Sequence, residues 1–371
     1  KIPLSHEVRG QNTALGSLAN CSGGYTPWGT ILTCEENYSH FYGEVHYTKS
    51  GNRKVKKDKR DFGWSALDAQ PPEHYGWVVE VDPRTKTSEK IIPLGRFAHE
   101  CATVAITKDG FPVVYTGDDS KNECLYKFVS SKKDSLKEGT LYVANFESKK
   151  WISLDIDSDP RLKERFKDQV DLLTRTREAA HLVGGTPLDR PEDIEIDPVS
   201  GDVFVTLTNN KPKGNLHGSI LKISERKKDS LKFHHKTFRA GGSESGFSCP
   251  DNMVFDQNGN LWMTSDISGG SIGKPDYKPF GHNGLFVIPR RGKQAGEVIK
   301  VASAPTDAEF TGPFFSPDEK TLFLSVQHPG EKTKEVGRYT SNWPSGKKGK
   351  KPLSAVITIT GPLLEQLTSQ A

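Results

Sequence analysis

The block Cys34-Glu35-Glu36-Asn37 puts a thiol, two carboxylates and an amide side by side at the end of a strand-like run, Pro27 to Thr33. Such a set offers one soft ligand and several hard ones, the mixture expected where iron and calcium share a site. A lone buried cysteine is ordinarily packing, but Cys-Glu-Glu-Asn is hard to explain as core. Further acids recur in matching surroundings at Glu100, Glu192, Asp251 and Glu309, spaced 59 residues from Glu192 to Asp251 and 58 from Asp251 to Glu309. Any one of them could cap a turn or face solvent. Four in register point to a shared site.

Each acid stands in the same local frame: a polar tip, a short alternating strand, a tight turn and a second apolar strand. The frame is complete in Pro191 to Thr206, Pro250 to Thr264, Glu309 to Leu324 and Glu100 to Tyr115, and partial in Pro27 to Thr33. Further strand-like runs follow at Gly76 to Val81, Leu125 to Val129, Ile220 to Ile223 and Gly284 to Ile288. Four short strands per repeat describe a blade, so the predicted fold is all-β, a β-propeller of four-stranded blades forming one domain over residues 1–371. First strands of blades line the channel of a propeller, which would bring the recurring acids together. One segment departs from the pattern. Pro160 to Leu182 carries Leu162, Phe166, Val170, Leu173 and Ala180 at helical spacing, and predicts a helical insertion at 160–182, either over the channel mouth or solvated at the periphery.

Composition removes several classes of function. With 34% apolar and 26% charged residues, 35 Gly and 23 Pro, no stretch reaches the roughly 18 to 20 apolar residues of a membrane helix. Dispersed aromatic and branched residues suffice for a packed core, so global disorder is excluded. The formal charge of +4 is mild, and the basic clusters at 53–60 and 347–351 lack interleaved aromatics, which argues against nucleic acid. Five cysteines (Cys21, Cys34, Cys101, Cys124, Cys249) at wide spacing, with no C-x-x-C, suggest neither a zinc ribbon nor a disulfide framework.

Six blocks in order along the chain resemble the PhoX-type alkaline phosphatases: TPWGTILTCEEN (26–37), LGRFAHE (94–100), YTGDDS (115–120), DRPEDIEIDP (189–198), PDNMVFD (250–256) and EFTGPFFSPD (309–318). The resemblance implies a six-bladed propeller that hydrolyses phosphate esters, mainly monoesters, at an axial site of iron (Fe3+) and calcium bridged by an oxo group. It assigns Cys34 as the iron thiolate with Glu35 as carboxylate ligand beside it, Glu100, Glu192 and Asp251 as further metal ligands, and Glu309 as a calcium ligand. Arg190 becomes the catalytic and substrate-binding residue, its planar fork matched to two phosphate oxygens. Clustered cations supply charge neutralisation and a nucleophile, so the chemistry needs no side-chain nucleophile. The resemblance also implies a periplasmic or extracellular, monomeric protein acting on small phosphate esters, with no nucleic-acid partner and no membrane insertion. It implies a longer region ahead of Cys34 than the 33 residues here. A sixth blade is expected from residues near Lys1, where Ser5-His6-Glu7 resembles an Asn-His-Glu element, together with Ala355 to Thr360.

Other groups carry less weight. Asp118, Asp119, Asn209, Asn210, Asp266, Gln327 and His328 end second strands and could be outer calcium ligands or turn caps. His99 could orient Glu100 or serve structure alone, and Cys101 and Cys249 adjoin proposed ligands. Two other functions stay open: a calcium-dependent propeller lactonase or esterase, and a non-catalytic propeller with structural calcium. Cys34 separates the first, because a calcium-only site has no use for a thiolate. Arg190 argues against the second.

Overall fold

The alternating runs become strands. The computed structural model describes residues 1–48, 50–57, 62–66 and 69–369, so the end of the basic run at 53–60 lies outside the described residues. The chain divides into two compact units, Lys1–Glu192 with Glu225–His234, and Asp193–Ser224 with His235–Ala371.

The first unit holds a six-stranded and a five-stranded sheet. The six-stranded sheet runs Gln11–Ala14, Ile2–Val8, Thr87–Ile91, Val78–Asp82, Ile31–Glu35, Asn20–Tyr25, and only the contact of Ile2–Val8 with Thr87–Ile91 is parallel. The five-stranded sheet is a meander from Thr103–Ile106 through Pro112–Gly117, Leu125–Ser130 and Gly139–Asn145 to Lys150–Ser153. Pro112–Gly117 is buried along its whole length, which is why Val113, Val114 and Tyr115 read as a continuous apolar run; a strand covered on both faces has no solvent side to alternate with. Gly117 is required where it stands. A Cβ there would lie 2.2 Å from the carbonyl oxygen of Pro191.

The 160–182 segment is helical, but as three short helices, Pro160–Arg165, Gln169–Thr174 and Thr176–Leu182. Asp159 caps the first by accepting from the amide of Arg161, and Asp168 caps the second by accepting from that of Asp171. Phe166 leaves the first helix in extended geometry, which separates the two starts. Leu162, Leu172, Leu173, Ala179 and Ala180 are buried in the apolar core of this unit beside Trp77, Phe97 and Phe128, so the insertion is not a solvated peripheral helix.

The second unit carries two four-stranded sheets, Pro191–Ile196, Val203–Leu207, Ser219–Ser224, His234–Ala240 and Pro250–Phe255, Leu261–Ser265, Gly284–Ile288, Ile299–Ser303. Pro191, Glu192 and His234, at the ends of the first of these, count with the other unit. A three-stranded sheet, Glu309–Phe315, Thr321–Gln327, Ala355–Thr360, follows. The side chains behind the acids tie successive sheets together. Asp193 Oδ2 accepts from the amide of Met253 at 2.6 Å, and Asn252 Oδ1 accepts from the amide of Gly312 at 2.8 Å and from Thr311 Oγ1 at 2.5 Å. Each of the two latches is braced in its own hairpin, where its amide donates to Thr206 Oγ1 or Thr264 Oγ1.

These sheets make an all-β propeller, with five blade-like sheets of six, five, four, four and three strands among the described residues, not six of four. The expected sixth blade fails because its two halves are used elsewhere. Ile2–Val8 covers the open edge of Thr87–Ile91 through Leu4 and Lys90, and Ala355–Thr360 pairs along its full length with Thr321–Gln327. Unpaired edges are a liability, and both terminal strands close one. No helix among the described residues is long and apolar enough to cross a membrane.

Candidate metal centre

The two carboxylates after Cys34 have opposite fates. Glu35 is fully buried and filled with donors: Oε1 accepts from Leu18 N at 2.9 Å, Ser17 Oγ at 3.0 Å and Lys90 Nζ at 2.8 Å, and Oε2 accepts from Gly76 N at 3.0 Å and Trp77 N at 3.1 Å. Lys90 is equally buried and also donates to the carbonyl of His74 at 2.8 Å. Burial pulls the lysine pKa down, and the charge of Glu35 opposes that shift. A carboxylate with every lone pair engaged by protein has none left for a cation.

Glu36 instead joins Glu100 and Asp119. One carboxylate oxygen from each lies within 4.8 Å of the others, and Glu100 has an oxygen equally close to one of Glu192. Asp119 follows Pro112–Gly117 and is held by its amide, which donates to the carbonyl of Ala98 at 2.9 Å. Its side chain accepts both arms of Arg190, Nε at 2.8 Å and Nη2 at 2.9 Å, and Arg190 also pairs with Glu192. Burial would raise the pKa of Asp119, but the Arg190 charge and hydrogen bonds outweigh it and hold the carboxyl low. The backbone of Arg190 is left-handed, with φ 59°. Four carboxylates and one guanidinium in this group sum to −3 if all are ionised. Acids so crowded repel one another unless protons or multivalent cations intervene.

Asp118, one residue earlier, faces the other way. It accepts Arg177 Nε and Nη2 at 2.7 Å each, from the helix Thr176–Leu182, and burial pushes its pKa up to about 6 against the pull of that arginine. His99 is fully buried, with Nε2 2.8 Å from the carbonyl of Gly95 and Nδ1 2.8 Å from Thr116 Oγ1. A carbonyl can only accept, so Nε2 carries the proton and Nδ1 accepts from the threonine. Burial pulls the pKa down to about 3, and the ring stacks on Phe97 at 3.7 Å. His99 is thus a neutral brace for the turn that presents Glu100.

The second unit has its own acidic group. Glu309 is pushed well above the usual carboxylate range by burial and by the charges of Asp266 and Asp251. His328 Nε2 lies 3.3 Å from Glu309 Oε1, and Thr264 Oγ1 donates to Asp251 Oδ2 at 3.4 Å. Asn209 is directed to Cys249, donating to its sulfur at 3.5 Å, and the Gln327 side chain is exposed. Two residues ahead of the acids, Cys249 and Asp307 repeat the left-handed backbone of Arg190, with φ 54° and 55°.

The family model described as alkaline phosphatase PhoX matches residues 3–330. The chain belongs to the alkaline phosphatase PhoX family. It is therefore a phosphoric ester hydrolase. The structure of Pseudomonas fluorescens PhoX in complex with vanadate, a transition state analogue, is similar to it, with 32% identity and a TM-score of 0.80 over 94% of this chain and 70% of that one. The periplasmic gluconolactonase of Pseudomonas aeruginosa is a far weaker likeness, with 11% identity and a TM-score of 0.37 over 82% of this chain and 64% of that one. No curated protein matches.

Membership in the PhoX family makes the chain metal-dependent, and the oxygen donors of Glu36, Glu100, Asp119 and Glu192 fit hard cations. Sequence reasoning put a ligand at Glu35, whose oxygens are filled by protein donors, and passed over Glu36, the carboxylate that joins Glu100 and Asp119. An extended chain turns alternate side chains to opposite faces, so the carboxylate on the face of Cys34 is two residues on, at Glu36. Cys34 itself is fully buried in the apolar cluster with Leu32 and Ala102, and is not in any of the three metal-type groups among the described residues. Asp119 belongs to one of those groups, whereas Asp118 is taken by Arg177. Cys101, next to Glu100, is a packing residue whose sulfur donates to the carbonyl of Glu192 at 3.4 Å, and no disulfide joins the cysteines.

Proposed function

We propose that the chain hydrolyses small phosphate monoesters, with Glu36, Glu100, Asp119 and Glu192 as metal-holding carboxylates and Arg190 as the phosphate-binding residue. The supporting observation is the −3 carboxylate group with one guanidinium fixed by both arms to Asp119. Asp251 and Glu309 are proposed as the calcium-holding acids of the second unit, and Cys34 remains proposed as the thiolate of the iron. When bound, the metal ions neutralise the non-bridging oxygens of the ester and lower the pKa of water.

The chain's own residues prepare the substrate. Arg190 offers a planar fork to phosphate oxygens, and Asp119 sets its plane, so little side-chain freedom is lost on binding. Glu192 pairs with the same Nη2 that Asp119 holds and further restrains the guanidinium. His99 holds the turn before Glu100 without adding a charge. Export to the periplasm or cell surface, where calcium is plentiful, and a monomeric state accompany this reading.

Elemental analysis of the unchelated protein, paired with a phosphate-ester assay, tests it. Iron together with calcium and turnover of a monoester, both lost in Cys34→Ser, is the expected result. Calcium without iron, with turnover of lactones and not phosphate esters, overturns it.

A further inference from the structure

A second cluster of ligand-type side chains lies apart from the carboxylate group. Glu123 and Cys124 end the loop that leads into Leu125–Ser130, and His181 stands in the last turn of Thr176–Leu182. Glu123 Oε2 is 3.0 Å from His181 Nε2, and one ligand atom from each of the three residues lies within 4.8 Å of the others. Backbone bonds fix both sides of this cluster. The amide of Asn122 donates to the carbonyl of Leu188 and the amide of Leu188 to that of Glu123, both at 2.8 Å, and the amide of Gly185 donates to the carbonyl of Ala180 at 2.7 Å.

The His181–Glu123 contact alone would be an ordinary half-exposed ion pair, worth little. Two further observations do not fit that account. The Cys124 side chain is fully buried, so its sulfur is the closed end of a cluster whose other end, His181, is 41% exposed. Beside it, the phenol oxygen of Tyr126 is fully buried with no hydrogen-bond partner, and Cys124 is the group whose charge would act on it most strongly. An unsatisfied buried hydroxyl is costly unless some state of the protein supplies an acceptor.

We propose that Glu123, Cys124 and His181 form a second metal site, selective for a borderline divalent cation of the zinc class. One sulfur, one imidazole nitrogen and one carboxylate oxygen are a donor set for Zn2+ or Co2+ and a poor one for calcium. Binding forms a metal–sulfur bond and releases the thiol proton to solvent, along with any proton on His181. The dication then balances the Cys124 thiolate and the Glu123 carboxylate, and a thiolate would be the acceptor that the Tyr126 phenol lacks. Three protein ligands leave a fourth position for water on the exposed side. An ion there would pin the helix carrying Arg177 to the loop carrying Asp118 and Asp119, whatever the role of the carboxylate group.

The test uses the protein as purified, with its own metals in place. Added Co2+ should give a near-ultraviolet thiolate-to-cobalt absorption, and added Zn2+ should raise the zinc content by one equivalent after desalting, with iron and calcium unchanged. His181→Ala, a surface change that leaves the fold intact, and Cys124→Ala should each weaken binding by more than about 100-fold, since losing even an outer partner of a ligand costs about 10- to 100-fold. An absorption that survives either substitution, or that is lost in Cys34→Ser and kept in Cys124→Ala, overturns the site, as does the absence of extra zinc. Monoester turnover without added zinc, measured on the same samples, reports separately on the phosphatase reading and should be unchanged in His181→Ala.

Discussion

Glu35 and Glu36 are neighbours in sequence and opposites in environment. Around Glu35 the protein supplies the whole answer to a buried charge, with Lys90, four further donors and no vacancy. Around Glu36 it gathers carboxylates faster than it neutralises them, with Glu100, Asp119 and Glu192 against Arg190. Both regions bury acids, and only the second calls for a charge from outside. The same division recurs in the adjacent pairs of later sheets: Glu100 beside Cys101, Glu192 beside Asp193, Asp251 beside Asn252, where the first residue is the acid and the second fastens backbone.

The largest effect should come from the closed region. Lys90→Ala leaves Glu35 buried without its counter-charge and should cost about 3 to 5 kcal/mol in chemical denaturation, because the unmatched charge remains in the core. A loss under about 1 kcal/mol would mean that Glu35 is not committed as its hydrogen bonds indicate, and the contrast with Glu36 would collapse.

Glu36→Gln acts on the open region and should reverse the pattern, lowering monoester turnover by about 100-fold, or roughly 2.7 kcal/mol in the barrier, while leaving the folded state intact. Chelation should lower the melting temperature of the parent protein more than that of Glu36→Gln, since one repelling carboxylate has gone. If Glu35→Gln abolished turnover and Glu36→Gln did not, the two roles would have to be exchanged.

Asn252→Ala carries the comparison into the second unit. It removes the acceptor for Gly312 N and Thr311 Oγ1 and should cost about 1 to 3 kcal/mol of stability. Asp251→Asn should change stability little and calcium content more. Arg190→Lys is the mildest change, keeping the charge and losing the fork, with an expected fall of about tenfold in kcat/KM. An unchanged kcat/KM would remove Arg190 from the substrate.

The inner hairpins from Glu100, Glu192, Asp251 and Glu309 were legible because half-buried strands alternate and turns punctuate them, and strands formed there. The sheet count was not, since edge pairing by Ile2–Val8 and Ala355–Thr360 is a long-range choice that local pattern does not encode. The helical insertion was visible in its spacing, but its division depended on the caps at Asp159 and Asp168. That Glu100 and Glu192 recur in matching frames was readable from the repeat, and their oxygens do lie together. Glu36 could have been found by applying to Cys34-Glu35-Glu36 the same two-residue alternation used elsewhere. The commitment of Asp118 to Arg177 was beyond reach, because its partner lies 59 residues away on an inserted helix.

Arg190, Cys249 and Asp307 give three hairpins the same left-handed backbone turn, two positions ahead of an acid. A non-glycine residue in that conformation gives up about 1 kcal/mol or more of local preference, least for asparagine and aspartate and most for β-branched side chains. The backbone there therefore filters its occupants, accepting asparagine, aspartate or glycine readily and refusing valine, isoleucine or threonine. A guanidinium, a thiol and a carboxylate already occupy it in one molecule. At all three positions the turn vets a residue before its chemistry can count.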